Sequence, residues 1–127
     1  MSTRSRIGIE EKDGSITSVY CHFDGYVDGV GLALIKNFDT EEKARELIDL
    51  GDLSTVGGNL ESTIAYCRDR DENFSQGIHS SKEHYINPNR GGAVPYYYLF
   101  SNGEWLVSYD GRIPFLPVKN CLKVEKN

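Results

Sequence analysis

Asn102-Gly103 separates two alternating runs, 96–100 and 104–109, in which tyrosine, phenylalanine, tryptophan, leucine and valine recur. A two-residue loop of this composition accepts the positive φ angles that twist its flanking strands into a hairpin. An isolated hairpin is marginal in water and needs further strands or a helix across its apolar face. The remaining chain must supply them. Residues 5–11 alternate around Ile7 and Ile9, and residues 15–22 around Ile16, Val19 and Tyr20, with Lys12-Asp13-Gly14 between them to turn the chain. A second hairpin is predicted there, and Asp24-Gly25 punctuates its outgoing strand.

From Asp28 the period changes. Val30, Ala33, Leu34, Asn37 and Phe38 follow helical spacing, so a helix of two to three turns is expected, with Asp28 as its N-cap. Gly29 and Gly31 weaken its first turn by about 1 kcal/mol each relative to Ala. A second helix follows, capped by Asp39 with Glu42 three residues on. Ala44, Leu47 and Ile48 form its buried stripe, Glu41 and Arg45 an i, i+4 pair, and Gly51 its left-handed end. Residues 52–60 read as a loop, 62–67 as a strand, and 73–94 as a long polar segment with one helical turn at 80–86. Asp110-Gly111 turns the chain again, and 113–124 reads as an edge strand limited by Pro114 and Pro117. The order ββαα-β-ββ predicts an α+β fold, an antiparallel sheet of five or six strands with two helices packed on one face. The 127 residues fit a single domain, 1–127.

Fourteen Lys and Arg stand against nineteen Asp and Glu, a net charge of −5. A chain that tracks nucleic acid carries a basic stripe, and none is present, so direct nucleic-acid binding is not expected. The three cysteines, Cys21, Cys67 and Cys121, are too few and too far apart for a disulfide scaffold or a CxxC metal site, and read as reduced thiols. No apolar run is long enough to span a bilayer and the first residues have no apolar signal core, so a cytoplasmic protein without membrane association is expected. Neither a cofactor nor a bound metal is expected.

Unusual residues are densest at Tyr20-Cys21-His22-Phe23-Asp24-Gly25-Tyr26-Val27-Asp28-Gly29-Val30-Gly31, where a strand leaves the sheet and a helix begins. Unpaired N–H groups at a helix start suit an anion, although the glycines match neither GxGxxG nor a P-loop. His22 and Asp24 can share one face of an extended segment, as a base with its orienter or as two metal ligands. They serve equally as a half-buried histidine and a turn cap, the commoner arrangement. Alternation along a strand would put Arg68 and Arg70 on one face, as a phosphate clamp or as partners for nearby carboxylates. The aromatic set containing Tyr97 and Trp105 could stack bases or simply pack across strands. Its outward members, with Tyr26, are candidates for a protein contact.

The opening MSTRS, the block YCHFDGYVDGVG, the helix EEKARELIDLGDLS and the later AYCRDRDE resemble a family of small phage and prophage proteins. The likeness covers residues 1–53 and 64–72 and, loosely, the YYYLF-SNGEWLV hairpin; Asp28 and Leu32 depart from the family's usual residues. The resemblance implies a mobile-element origin and brings no reaction with it. It implies a non-enzymatic binder that inhibits a host defence component, CRISPR-type or other anti-phage, by stoichiometric association. A nucleotide-signal sponge, using Gly29–Gly31 with Arg68, Arg70 and a stacking tyrosine, is the second expectation; such binders are commonly homo-oligomers. A small hydrolase built on His22, Asp24 and Asp28 is the third.

Overall fold

The computed structural model describes residues 3–87 and 94–122. Strands β1 (Ser5–Glu10) and β2 (Ile16–Cys21) form the first expected hairpin, Ser5 opposite Cys21 and Glu10 opposite Ile16. Its turn uses Gly14 at φ +89° and the Asp13 carboxylate, which accepts from the Ser15 amide at 2.9 Å. After a π-helical turn, Val27–Gly31, come α1 (Leu32–Asn37) and α2 (Glu41–Ile48). Then follow β3 (Leu53–Thr55), β4 (Ile64–Ala65), α3 (Tyr66–Arg70), β5 (Gly77–His79) and α4 (Lys82–Tyr85). The Asn102-Gly103 hairpin joins β6 (Tyr96–Ser101) to β7 (Glu104–Tyr109), with both turn residues at positive φ. Leu116–Pro117 adds β8, and a 3₁₀ turn follows at Val118–Asn120.

The α+β class stands, but the sheet differs from expectation in size and direction. Its order is β4-β3-β2-β1-β6-β7-β8, with β5 paired to the free half of β2, eight strands among the described residues. It is mixed: β1 runs parallel to β6, Ser5 opposite Tyr96, and β2 parallel to β3. Parallel pairing needs a long crossover, and the helical stretch between β1 and β6 provides it. The first hairpin therefore lies at the sheet centre. β3 falls in a segment read as loop, and β5 in the polar stretch; both are three residues long, too short for a period to register.

Alternation sorts the side chains onto two faces. Ile7, Ile9, Val19, Cys21, Tyr98, Phe100, Trp105 and Val107 pack under Leu34, Phe38, Ala44, Leu47 and Ile48 from α1 and α2. On the opposite face Ile16, Tyr97 and Leu99 pack against Tyr85 and Ile86, at the end of α4. Both faces are thus covered, where one was expected. Gly8 marks the second face, since a methyl there would lie 2.9 Å from Ile16 Cγ2 and 3.1 Å from the Tyr85 ring. Capping also differs in detail. Thr40, not Asp39, caps α2, its hydroxyl accepting from the Lys43 amide at 3.2 Å.

Candidate functional site

The block at residues 20–31 is built around the main chain. His22 and Phe23 donate their amides to Leu53 and Ser54 carbonyls at 3.1 and 2.9 Å, carrying β2 past its last paired residue beside β3. Asp24 then takes φ +60°, and its carbonyl accepts from the Val30 amide at 2.8 Å, closing the π-helical turn. The Gly25 amide donates to Thr3, and its carbonyl accepts the buried Tyr98 hydroxyl at 2.6 Å. Two glycines have a steric reason. A methyl on Gly25 would lie 2.8 Å from the Thr3 carbonyl oxygen, and one on Gly29 would overlap the Asp24 carbonyl. These residues meet the demand for close main-chain approach, and the turn they start is five residues long.

His22 and Asp24 do not form a dyad. The His22 Nδ1 pairs with the Tyr20 hydroxyl at 2.7 Å, and its ring stands edge-on to Phe23 at 4.5 Å, while the Asp24 side chain is exposed. Asp28 lies inside the π-helical turn and not at its cap position, which is Tyr26, with no side-chain cap bond. What the loop presents outward is aromatic: Phe23 is 39% and Tyr26 43% exposed.

Arg68 and Arg70 lie on helix α3, so strand alternation does not apply to them. Ala65 leaves β4 extended and the Asp69 carboxylate takes its amide at 2.8 Å, starting the helix where a strand was expected to continue. Arg68 is consumed locally, by Asp69 at 2.8 Å and the Leu60 and Thr63 carbonyls at 2.9 and 2.6 Å. Arg70 lies over the Tyr66 ring at 5.6 Å. Tyr97 is buried edge-on against Tyr85. Trp105 is buried against Phe100, donating its indole N–H to the Phe38 carbonyl at 2.7 Å; only its margin reaches a shallow 390 Å³ cavity beside Lys119. Neither ring offers a stacking face.

A polar cluster on the second sheet face was not foreseen. Arg6 (β1) donates from Nε and Nη2 to the Ser18 hydroxyl (β2) at 3.1 and 3.0 Å. The Ser18 Oγ lies 3.0 Å from His79 Nε2 (β5), and His79 Nδ1 lies 3.2 Å from His84 Nδ1 (α4). A guanidinium only donates. Its two bonds fill the Oγ lone pairs, so the Ser18 proton goes to His79 Nε2. His79 then carries its proton on Nδ1 and donates to His84. Burial, with the Arg6 charge and the adjacent His84 ring, holds His79 down at about 4. Four elements contribute these residues, and only the pair His79-x₄-His84 could have hinted at them.

Among the described residues no cluster of three metal-ligating side chains occurs. An open groove of about 860 Å³ lies at the far end of the sheet between the two hairpin turns. Two of its charges are paired, Arg45 holding Glu11 through two bonds of 2.8 and 2.7 Å. The Cys21 thiol is buried and pushed up to about 12, while Cys67 and Cys121 are half-exposed and form no disulfide. Among the described residues no helix is long and apolar enough to cross a membrane. Comparison with family models, with curated proteins and with solved structures finds no match.

Proposed function

We propose that this chain is a non-enzymatic binding protein, acting by stoichiometric association with a component of a host's anti-phage defence, CRISPR-type or other. The phage-like sequence blocks motivate the class of partner. One observation carries the binding mode: a loop pinned by main-chain bonds to Thr3, Leu53, Ser54 and Tyr98 holds Phe23 and Tyr26 in water. A few anchors carry most of the energy of a protein contact, and aromatic side chains are enriched among them; a loop held in place by main-chain bonds has less ordering cost on binding. Ile64, 37% exposed on the edge strand β4, adds apolar surface on the strand paired to β3. His22, the residue of the block best suited to chemistry, has its Nδ1 taken by the Tyr20 hydroxyl and does not pair with Asp24, which favours association over chemistry.

Phage plaquing on hosts that each carry one defence system provides the test. Expression of the chain should restore plaquing on at least one host. His22→Ala should retain the effect, and the double variant Phe23→Ala/Tyr26→Ala should lose it with an unchanged melting curve. Each lost anchor is worth about 2 kcal/mol, so binding should fall well over a hundredfold. No restoration on any host, or full restoration by the double variant, ends the proposal.

A further inference from the structure

Strand β5 is an edge. It pairs with β2 on one side, Ile78 opposite Thr17, and among the described residues no strand bonds to its other side. In an antiparallel pair alternate residues point their amide and carbonyl away from the partner, so this edge offers donors and acceptors to a further strand. Of the usual guards it has shortness, but neither proline nor lysine. Its middle residue, Ile78, is 74% exposed, more than any other large apolar side chain among the described residues. Four residues earlier Phe74 is 54% exposed beside Gly51. What borders this edge is acidic. Ile78 shares the helix-covered face with Thr17, whose hydroxyl donates to Glu11, itself held by Arg45 of α2. The chain entering β5 is tied to the end of the same helix, Gln76 Nε2 donating to the Ile48 carbonyl at 2.8 Å. Helix α2 is thereby held along the β5 side of the sheet. Its exposed side chains, with its C-cap, are Glu41, Glu42, Lys43, Glu46 and Asp49, four carboxylates to one ammonium. The ion pairs among the described residues use none of them.

We infer that the β5 edge takes up an extended, basic segment of a partner protein as an additional strand, seated on Ile78 and steered by the carboxylates of α2. Main-chain bonds supply the affinity of such an addition, and alternate side chains the choice of sequence. An apolar residue facing Ile78, with lysine or arginine two residues to either side, puts its charges on the face that carries α2. A second copy of the chain fits less well. Two β5 strands paired antiparallel keep like faces of their sheets on the same side, which brings two acidic α2 helices together, and like charges oppose association. The Phe23/Tyr26 loop follows the opposite end of β2, so either surface can fail without the other.

The experiment is a fluorescence-anisotropy titration of the full chain with a labelled heptapeptide: valine at its centre, lysine two residues to either side, threonine elsewhere. Two control peptides carry glutamate for the lysines, or proline for the threonines beside the valine, which removes main-chain donors. Saturable binding of the lysine peptide is expected, with each control weaker by about tenfold or more. Ile78→Lys, which installs the charge that natural edges use as a guard, should weaken binding about tenfold with an unchanged melting curve. Phe23→Ala/Tyr26→Ala should bind the peptide as the native chain does. No saturable binding of the lysine peptide, equal binding of either control, or an affinity unchanged by Ile78→Lys overturns the inference. A native chain that sediments as a dimer and is split by Ile78→Lys also overturns it, since a second copy then holds the edge.

Discussion

The block at 20–31 and the cluster of Arg6, Ser18, His79 and His84 pull in opposite directions. The first is conspicuous along the chain, and its oddities resolve into main-chain geometry: a left-handed Asp24, close approaches at Gly25 and Gly29, a tyrosine hydroxyl on the Gly25 carbonyl. The second is invisible along the chain, yet it gathers one cation, one hydroxyl and two histidines within bonding distance. Crowding in sequence arises when the backbone needs particular residues next to one another. Crowding in space arises when strands distant in sequence are brought side by side, and that is where polar chemistry is assembled here.

The comparison breaks most visibly at Gly29. Gly29→Ala places a methyl against the Asp24 carbonyl, a backbone atom that cannot swing aside. Urea denaturation should show a loss of about 3 kcal/mol, at the upper end of overpacking costs. Gly58→Ala, in open space, should stay within about 0.5 kcal/mol. Equal effects would mean that the block's glycines are not structural.

The polar cluster should reveal itself through acid. The folded-state pKa of His79, about 4, lies below the ordinary 6.5, so the unfolded chain takes up the proton first. Stability is then full above pH 6.5 and falls as the pH drops toward 4, by on the order of 2 kcal/mol. The charged or titratable groups facing His79 are Arg6 from β1 and His84 from α4, with the Tyr85 ring 5.1 Å away. Glu11, held low chiefly by its bonds from Arg45, loses its contribution only below its ordinary 4.5, so the slope between pH 6.5 and 5 belongs to the histidine. Melting curves across that range should flatten in His79→Gln; an unchanged slope would place the acid sensitivity elsewhere.

The smallest effect is expected at His22, the residue in the block that looks most chemical. His22→Ala removes one bond to the Tyr20 hydroxyl at a half-exposed position and should cost about 1 kcal/mol or less. A loss several times larger would return His22 to the centre of the site.

Both tight hairpins and helix α2 were legible because their cues are local: Asn102-Gly103, Gly14, and the stripe of Ala44, Leu47 and Ile48. The cap of α2 was misplaced by one residue, since Asp39 and Thr40 offer equivalent oxygens and only geometry chooses between them. The strand that became α3 turns on the Asp69 carboxylate folding back to the Ala65 amide, a tertiary detail without a period. For the site, exposure was the missing knowledge. Nothing in the aromatic pattern distinguishes Tyr97 and Trp105, which are sealed, from Phe23 and Tyr26, which are not.

The parallel pairing of β1 with β6 has a consequence for synthesis. Ser5 meets Tyr96, so the middle of the sheet stays open until most of the chain has left the ribosome. Until then β1 carries an unpaired edge, the kind of surface that recruits strangers or chaperones. A message cut short before the last hairpin would therefore yield no smaller working version of the protein, only a fragment for the proteases.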